Sequence, residues 1–495
     1  MSSPYLPTLP DSHQPFIPED FAGDDRLMIE TAEQFMRKEV LPHVEALDHQ
    51  EPGLMPRLIH QAGELGLCGI DTPDEFGGLG LSKNLAARIL EFLSLNGSFS
   101  VTYGITSGIS QVGLSLFGSH DQKTQYLPRL ASGQWIGAYA LSEPNSGSDA
   151  LSATCRADLR GDHYVLNGTK MWISNAQWAD LFLVMAKVDG ERFSAFLVEK
   201  NFQGVSVARE EHKMGLKGSS TARLLLEDAI VPAENLLYTE GLGHHVAFNA
   251  LNLGRFKLAA MSIGPARAAI ELAAAYAKDR KQFGQPIANF GLIREKFARM
   301  GALFFAAESA IYRLGALIDQ AFAEHGGTIE GNRRAAEMYS IQCAMVKVFA
   351  TEAESEIVDE ALQVYGGYGF TEEFPIARIY RDARVSRIYE GTNEINRLFI
   401  ADRLAKAGLT PKRASQTESG AVADLAILDF VGESARKRAD RLGRHGGLVD
   451  AFDAWAEGKR LFATGKVGEA GPESTLKTVD WEGLGSSLIE LGRPF

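Results

Sequence analysis

Leu181-Phe182-Leu183-Val184-Met185-Ala186-Lys187-Val188-Asp189-Gly190-Glu191-Arg192-Phe193-Ser194-Ala195-Phe196-Leu197-Val198 is the stretch around which the rest of the chain is arranged. Two apolar runs of strand length flank Asp189-Gly190, and an Asp-Gly pair in that setting is a strong hairpin signal. Upstream, Leu159-Arg160-Gly161-Asp162 and Leu166-Asn167-Gly168-Thr169 are turn signals bracketing a short strand, His163 to Leu166, and Met171 to Ser174 reads as another. Downstream, Val205 to Val207 and Ala222 to Glu227 add two more. Residues 135–245 are therefore expected to form a small antiparallel β domain, a barrel or sandwich with its last strand near Tyr238.

Both flanks read as helical, which makes the fold class α+β. In residues 24–134, Leu27, Ile29, Ala32, Phe35 and Met36 share one apolar face, and Val40, Val44 and Leu47 continue it past a break at Pro42. Phe76-Gly77-Gly78-Leu79-Gly80 is a loop, not a nucleotide fingerprint, because no strand precedes it in a βαβ setting. Gly104, Gly108 and Gly113 interrupt the apolar run from Gly97 to Gly118. Each glycine inside a helix costs on the order of 1 kcal/mol. Close helix packing explains them, and so does space left for a ligand. In residues 246–408, Ala259 to Tyr276, Ile293 to Leu317, Arg334 to Val364 and Glu394 to Ala407 have helical period and suggest a four-helix bundle. Arg280 to Pro286 is an inserted loop, and Gly366-Gly367 closes the third helix. Residues 409–495 form a linker, Lys412 to Gly420, and a short extension. Asp424 to Phe462 forms one or two helices there, and Gly465 to Phe495 is irregular.

With 495 residues and 45% hydrophobic residues, the chain is long and apolar enough for about three domains with a sizeable core. Its net charge of -13, without a long Lys/Arg run, speaks against nucleic acid. Cys68, Cys155 and Cys343 are far apart and not in metal spacing, so free thiols in a reducing compartment are expected. Met1 to Asp20 lacks the features of a targeting peptide, and no apolar run reads as membrane-spanning. The expected location is cytoplasmic.

The chemistry is placed in Arg384-Val385-Ser386-Arg387-Ile388-Tyr389-Glu390-Gly391-Thr392-Asn393-Glu394-Ile395-Asn396-Arg397. Gly391 frees the backbone, Thr392 is a plausible N-cap, and Ile395, Leu398 and Phe399 mark the following helix. Orphan amides at a helix start favour the carboxylate of Glu390, whereas apolar surroundings raise its pKa towards that of a general base. On local sequence alone Glu390 is an ordinary first-turn acid; the rest of the chain changes that reading.

Ala138-Tyr139-Ala140-Leu141-Ser142-Glu143-Pro144-Asn145-Ser146-Gly147-Ser148-Asp149 opens the β domain. Lys170-Met171-Trp172-Ile173-Ser174-Asn175 and Lys213-Met214-Gly215-Leu216-Lys217-Gly218-Ser219-Ser220 follow. Arg280-Lys281-Gln282-Phe283-Gly284, Gln363-Val364-Tyr365-Gly366-Gly367 and Tyr389-Glu390-Gly391-Thr392 come after them. Each motif alone is weak, but in this order, over roughly residues 25–408, they resemble the acyl-CoA dehydrogenase flavoprotein family. The very-long-chain branch is the nearest match, through Asn289 to Lys296, Leu251 to Phe256 and the segment around Gly104.

The resemblance implies an FAD enzyme in which Glu390 removes the α-proton of an acyl-CoA thioester while a hydride leaves the β-carbon for the flavin, giving a trans-2-enoyl-CoA. The thioester carbonyl would be polarised by fixed donors, a flavin ribityl hydroxyl and the Glu390 amide. Tyr139, Leu141, Ser142 and Ser148 match flavin-contacting positions, and Trp172 and Ser174 flank the flavin ring. Arg280, Gln282, Phe283, Gln363, Gly366 and Gly367 resemble residues that reach a partner subunit's FAD. Thr392 and Glu394 match flavin contacts after the base. Asn252, Arg255, Gly391 and Ser148 match the acyl-CoA side, and Gly104 and Gly108, four apart, would share one helix face and leave the acyl channel open. Ser142 and Ser174 stand where many relatives carry Thr, which keeps the hydroxyl. Implied partners are acyl-CoA, an electron-transferring flavoprotein, and a second copy or more in a homodimer or homotetramer. The extension is much shorter than its counterpart in very-long-chain relatives, where it serves dimerisation and peripheral membrane contact. An oxidase on the same fold and a respiratory-complex assembly scaffold are the competing readings.

Overall fold

The computed structural model describes residues 15–410, 415–463 and 479–492. These fall into two compact units: Gly23–Lys257 with Ile318–Met338, and Leu258–Leu317 with the chain from Tyr339 onward and the segment preceding Gly23.

In the first unit, helices α1 (Asp24–Phe35), α2 (Val44–Asp48), α3 (Leu54–Glu64), α4 (Lys83–Leu93), α5 (Gly97–Gly104), α6 (Gln111–Phe117) and α7 (His120–Ala131) precede the sheet. The break at Pro42 lies in a short 3-10 turn, Leu41–His43. The expected straight helix across Gly104 and Gly108 is not present. Ile105–Ser110 winds as a π-helix, and Gly108 sits at φ −103°, ψ −106°. The two glycines therefore do not share a face by simple i, i+4 phasing. A Cβ on Gly108 would lie 3.6 Å from Lys257 Cδ, in ordinary contact. Lys257 is itself part of a buried charge cluster. It pairs with Asp71, which also accepts from Lys83 Nζ at 2.9 Å. Burial alone would raise the Asp71 carboxyl, but the two ammonium groups outweigh it and hold it well below the usual carboxylate range.

The sheet contains β1 (Gly137–Ala140), β2 (Arg156–Arg160), β3 (His163–Ser174), β4 (Leu181–Val188), β5 (Arg192–Glu199), β6 (Val205–Glu210), β7 (Thr221–Pro232) and β8 (Leu236–Leu237). Its order is β6-β7-β3-β2-β4-β5-β8, with β1 beside β4. The expected hairpin at Asp189-Gly190 joins β4 and β5, which pair antiparallel with Leu181 opposite Glu199. The sheet is not purely antiparallel, since β1 and β2 both run parallel to β4. Asn167-Gly168 is not a turn either: the two short strands expected around it are one twelve-residue strand, β3. The register against β7 slips between Leu166 and Gly168, and the Asn167 side chain bonds the Asp228 amide and carboxylate across the slip. A turn dipeptide is here spent on a bulge. Phe182, Val184, Phe196, Leu224 and Val231 fill the core on one sheet face.

Helices α8 (Gly243–Asp279), α9 (Gly291–His325), α10 (Ile329–Met338), α11 (Ser340–Tyr365), α12 (Pro375–Ala383) and α13 (Asn393–Lys406) follow. The expected third helix is thus two, parted at Tyr339 (φ −109°, ψ 25°). Against the sequence reading, α8 and α9 carry windows long and apolar enough to cross a bilayer, but 67% and 89% of those windows are buried in the protein, as in core helices. In the extension, α14 (Gln416–Leu442) and α15 (Gly446–Ala463) are two helices, and α16 (Trp481–Leu491) occupies part of the tail read as irregular. Residues 411–414 of the expected linker lie outside the described residues. Gln416 to Gly420 is helical because Ser415 and Glu418 form a capping box. All three cysteines are buried thiols.

Candidate active site

In the first unit the site residues gather around a second bulge in β3. Lys170 faces Leu224 and Ile173 faces Ala222, so one residue is extra, and Trp172 takes φ 60°. A left-handed tryptophan is an outlier, and bulges that re-aim a side chain recur at functional sites. The indole is 57% exposed, a large apolar surface left open. Ser174 ends the strand. The Met171 amide donates to Ser142 O (2.9 Å), which ties the loop after β1, with Tyr139, Leu141 and Ser142, to the bulge.

Lys170, fully buried, locks that connection. Its Nζ donates to Leu141 O (3.1 Å) and to Glu143 Oε1 (2.7 Å). Burial raises the Glu143 carboxyl, but the Lys170 charge and the Thr154 and Cys155 amides together bring it below its ordinary value. Lys170 and Glu143 stood in the quoted motifs without a role. Ser148 lies beyond, in an exposed loop. On α8, Arg255 donates to Asn252 Oδ1 (3.1 Å), and both side chains are buried.

In the second unit Glu390 and Gly391 take φ 58° and φ 80° in succession. A left-handed glutamate persists only where its surroundings over-determine it, and here they do. Asn396, fully buried, donates to Gly391 O (2.7 Å) and Thr392 O (3.1 Å) and lies 3.4 Å from Glu390 O. Lys347, fully buried on α11, donates to Gly391 O (2.9 Å) and to Asn393 Oδ1 (2.6 Å). Thr392 caps α13, its hydroxyl accepting from the Ile395 amide at 3.2 Å. Glu390 is half-buried, and Glu394 is exposed at the helix start, its carboxyl held below the ordinary value by its own amide. Neither Lys347 nor Asn396 carried a sequence signal of its own.

Elsewhere in this unit, the expected loop Arg280 to Pro286 is a minimal hairpin. Lys281–Gln282 pairs with Gln285–Pro286 across Phe283 (φ 50°) and Gly284 (φ 80°). It stands beside the end of α11, where Gly366 takes φ 59°. Arg280, Gln282, Gly366, Gly367 and Tyr368 line one cavity of about 490 Å³. A Cβ on Gly366 or Gly367 would meet nothing within 4 Å, and the Arg280 guanidinium sits 5.5 Å from the Tyr368 ring centre. Gln363 is exposed on the last turn of the helix. Phe283 is 93% exposed and Phe370 87%, and each follows a cavity-lining residue closely in the chain.

The comparisons with known proteins agree with this architecture. Family models described as the N-terminal, middle and C-terminal domains of acyl-CoA dehydrogenase match residues 23–134, 138–229 and 241–405. The chain belongs to the acyl-CoA dehydrogenase family of oxidoreductases. It is 48% identical over 402 residues to a probable acyl-CoA dehydrogenase of Bacillus subtilis, covering 80% of this chain and 68% of that one. It is 43% identical over 350 residues to the very long-chain specific acyl-CoA dehydrogenase of Rattus norvegicus mitochondria. That match covers 68% of this chain and 51% of the rat protein, so the chain spans about half of that relative's length. A solved acyl-CoA dehydrogenase from Bacillus anthracis, complexed with FAD, superposes with a TM-score of 0.91 at 36% identity over 97% of both chains.

Proposed function

We propose that the protein is an FAD-dependent acyl-CoA dehydrogenase that converts long-chain acyl-CoA to trans-2-enoyl-CoA in fatty-acid β-oxidation and passes the electrons to an electron-transferring flavoprotein. The observation that carries the reading is Glu390, a half-buried carboxylate in a strained turn held by Lys347 and Asn396. Glu390 takes the α-proton, and its backbone amide is a donor for the thioester carbonyl, on which negative charge develops. When bound, FAD supplies the acceptor for the hydride that leaves the β-carbon. The chain's residues fit that group. Trp172, with Ser174 two residues on and Ser142 bonded to the neighbouring Met171, offers a flat apolar cover for a ring system and hydroxyls for its polar edge. The glycine-floored cavity with Arg280 offers a cation and open backbone to a pyrophosphate. The Bacillus anthracis relative, solved with FAD, supports the same choice. The test is anaerobic bleaching of the purified yellow protein by palmitoyl-CoA, followed by reoxidation with electron-transferring flavoprotein or with oxygen. No bleaching by any acyl-CoA would reject the reading. Fast reoxidation by oxygen alone would make the enzyme an oxidase.

The exposed Phe283 and Phe370, close in the chain to the lining of the Arg280 cavity, support a homodimer whose cofactor is contacted from both copies. Arg280→Ala is expected to weaken FAD binding roughly tenfold or more, the worth of one lost charge-assisted contact. Equilibrium dialysis measures this, and a monomer holding FAD at full occupancy would reject the shared site.

Chain length is proposed on the very long-chain relatives and on Gly104, the last residue of α5. Gly104→Gln is expected to suppress turnover of palmitoyl-CoA at least tenfold more than that of octanoyl-CoA. Gly108 is the poorer position, since a side chain there meets Lys257. Equal losses on the two substrates would assign Gly104 to packing.

A further inference from the structure

Behind the Glu390 turn lies a second carboxyl group that the reaction does not use. Glu354, on α11, is 3% exposed. Its Oε2 lies 2.8 Å from Ser386 Oγ, and Ser386 Oγ lies 2.7 Å from Ala383 O. A serine hydroxyl has one proton to give. A carbonyl only accepts, so if the Ser386 proton goes to Ala383, the short contact with Glu354 requires a proton from the carboxyl. Ser262 is a second partner of Glu354, and its hydroxyl also lies 3.0 Å from Leu258 O. The two serine hydroxyls bring two protons to these four contacts; a protonated Glu354 brings a third, which it donates to Ser386, while its other oxygen is open to the Ser262 hydroxyl.

The charged and titratable groups around this carboxyl do not favour its anion. Asp382 on α12 opposes it, and Arg387, in the turn before Glu390, acts more weakly the other way. Tyr389, its phenol pushed up by burial, feels both Glu354 and Glu390. Burial is the dominant influence on Glu354 and pushes its carboxyl up to about 8. Ser386 stands in the 3-10 turn Arg384–Arg387, which runs directly into Tyr389 and Glu390.

We propose that Glu354 is a positioning residue for the Glu390 turn: a carboxylic acid that keeps its proton at neutral pH, fixes Ser386 through it, and releases the turn when it ionises. The positioning role rests on Glu390 being the base; the protonation of Glu354 does not. Ionisation draws the Ser386 proton to the carboxylate, leaves Ala383 O with only the backbone amide of its 3-10 turn, and places a second negative charge next to Tyr389. Turnover should fall as pH rises past 8.

The test compares the FAD-loaded wild type with Glu354→Gln, whose amide donates to Ser386 at every pH. A carboxyl whose pKa is raised on folding carries an extra proton in the native state. The wild type therefore loses stability as pH rises from about 4.5 to about 8, and is level above that. The Tm of Glu354→Gln minus that of wild type is expected to grow by several degrees between pH 5 and pH 8. The ratio of kcat at pH 9 to kcat at pH 7 is expected to be at least threefold higher in Glu354→Gln than in wild type. Ser386→Ala, a second variant in case the first does not fold, keeps the carboxyl but removes its link. It should retain the wild-type dependence of Tm on pH while its kcat ratio rises towards that of Glu354→Gln. A constant Tm difference across pH would overturn the protonated carboxyl. A normal Tm difference with unchanged kcat ratios would overturn the positioning role. Glu390→Gln measured alongside separates either result from a failure of Glu390 as the base, which would show as near-normal flavin reduction in that variant.

Discussion

Glu390→Gln is expected to lower the rate of flavin bleaching by palmitoyl-CoA by roughly two to four orders of magnitude, the contribution of a positioned general base. Glutamine has nearly the volume and reach of glutamate, and it removes the basic oxygen without emptying space. The turn should survive, because Asn396 and Lys347 hold backbone carbonyls at Gly391 and Thr392, not the carboxylate. FAD content and acyl-CoA binding are therefore expected to stay close to wild type, with the loss confined to the reductive half-reaction. Single-turnover anaerobic stopped-flow reads that step directly. Bleaching within tenfold of wild type would mean that another group takes the proton, and a variant that fails to retain FAD would show that the carboxylate also supports the fold of the turn.

The parts of this site that could be read from sequence are those whose signal is local. Asp189-Gly190 makes its hairpin with its own neighbours. Thr392 caps the helix that begins at the next residue. Asn167-Gly168 has the composition of a turn but forms a bulge, because its partner Asp228 is supplied by β7. The spacing of Gly104 and Gly108 implies an ideal helical phase, which the π-winding between them removes. The Ser415–Glu418 capping box is a local signal, and it makes Gln416 to Gly420 the first turns of a helix and not part of a linker. Nothing local marks Trp172 as left-handed; a one-residue register slip against β7 sets that. Lys347, Glu354, Ser386 and Asn396 look like ordinary helix or turn residues in the chain. They become part of the site only when α11 lies behind the turn, a long-range placement without a local sequence signal.

Lys347 is where that hidden layer should matter most. Lys347→Met is expected to slow flavin reduction about a hundredfold while changing stability by no more than about 2 kcal/mol. The two effects separate for a physical reason. Burying an ammonium group is costly, and replacing it with an apolar chain of similar length recovers that desolvation as it gives up the hydrogen bonds to Gly391 O and Asn393 Oδ1. The acceptors are not orphaned, because Gly391 O keeps Asn396 and Asn393 Oδ1 keeps a longer contact with the Thr351 hydroxyl. What is lost is the direct bond from α11 to the Gly391 carbonyl, next to the base. Glu390 sits at φ 58°, a conformation of about 1 to 3 kcal/mol strain that relaxes when its restraints are thinned. A shift of about 1 Å in a reacting group can cost on the order of a hundredfold in rate. Thermal unfolding and stopped-flow bleaching on one preparation measure the two quantities together. If stability collapses along with the rate, Lys347 is a core residue whose removal unfolds the bundle. If the rate is unchanged, Asn396 alone holds the turn and the second tie is redundant.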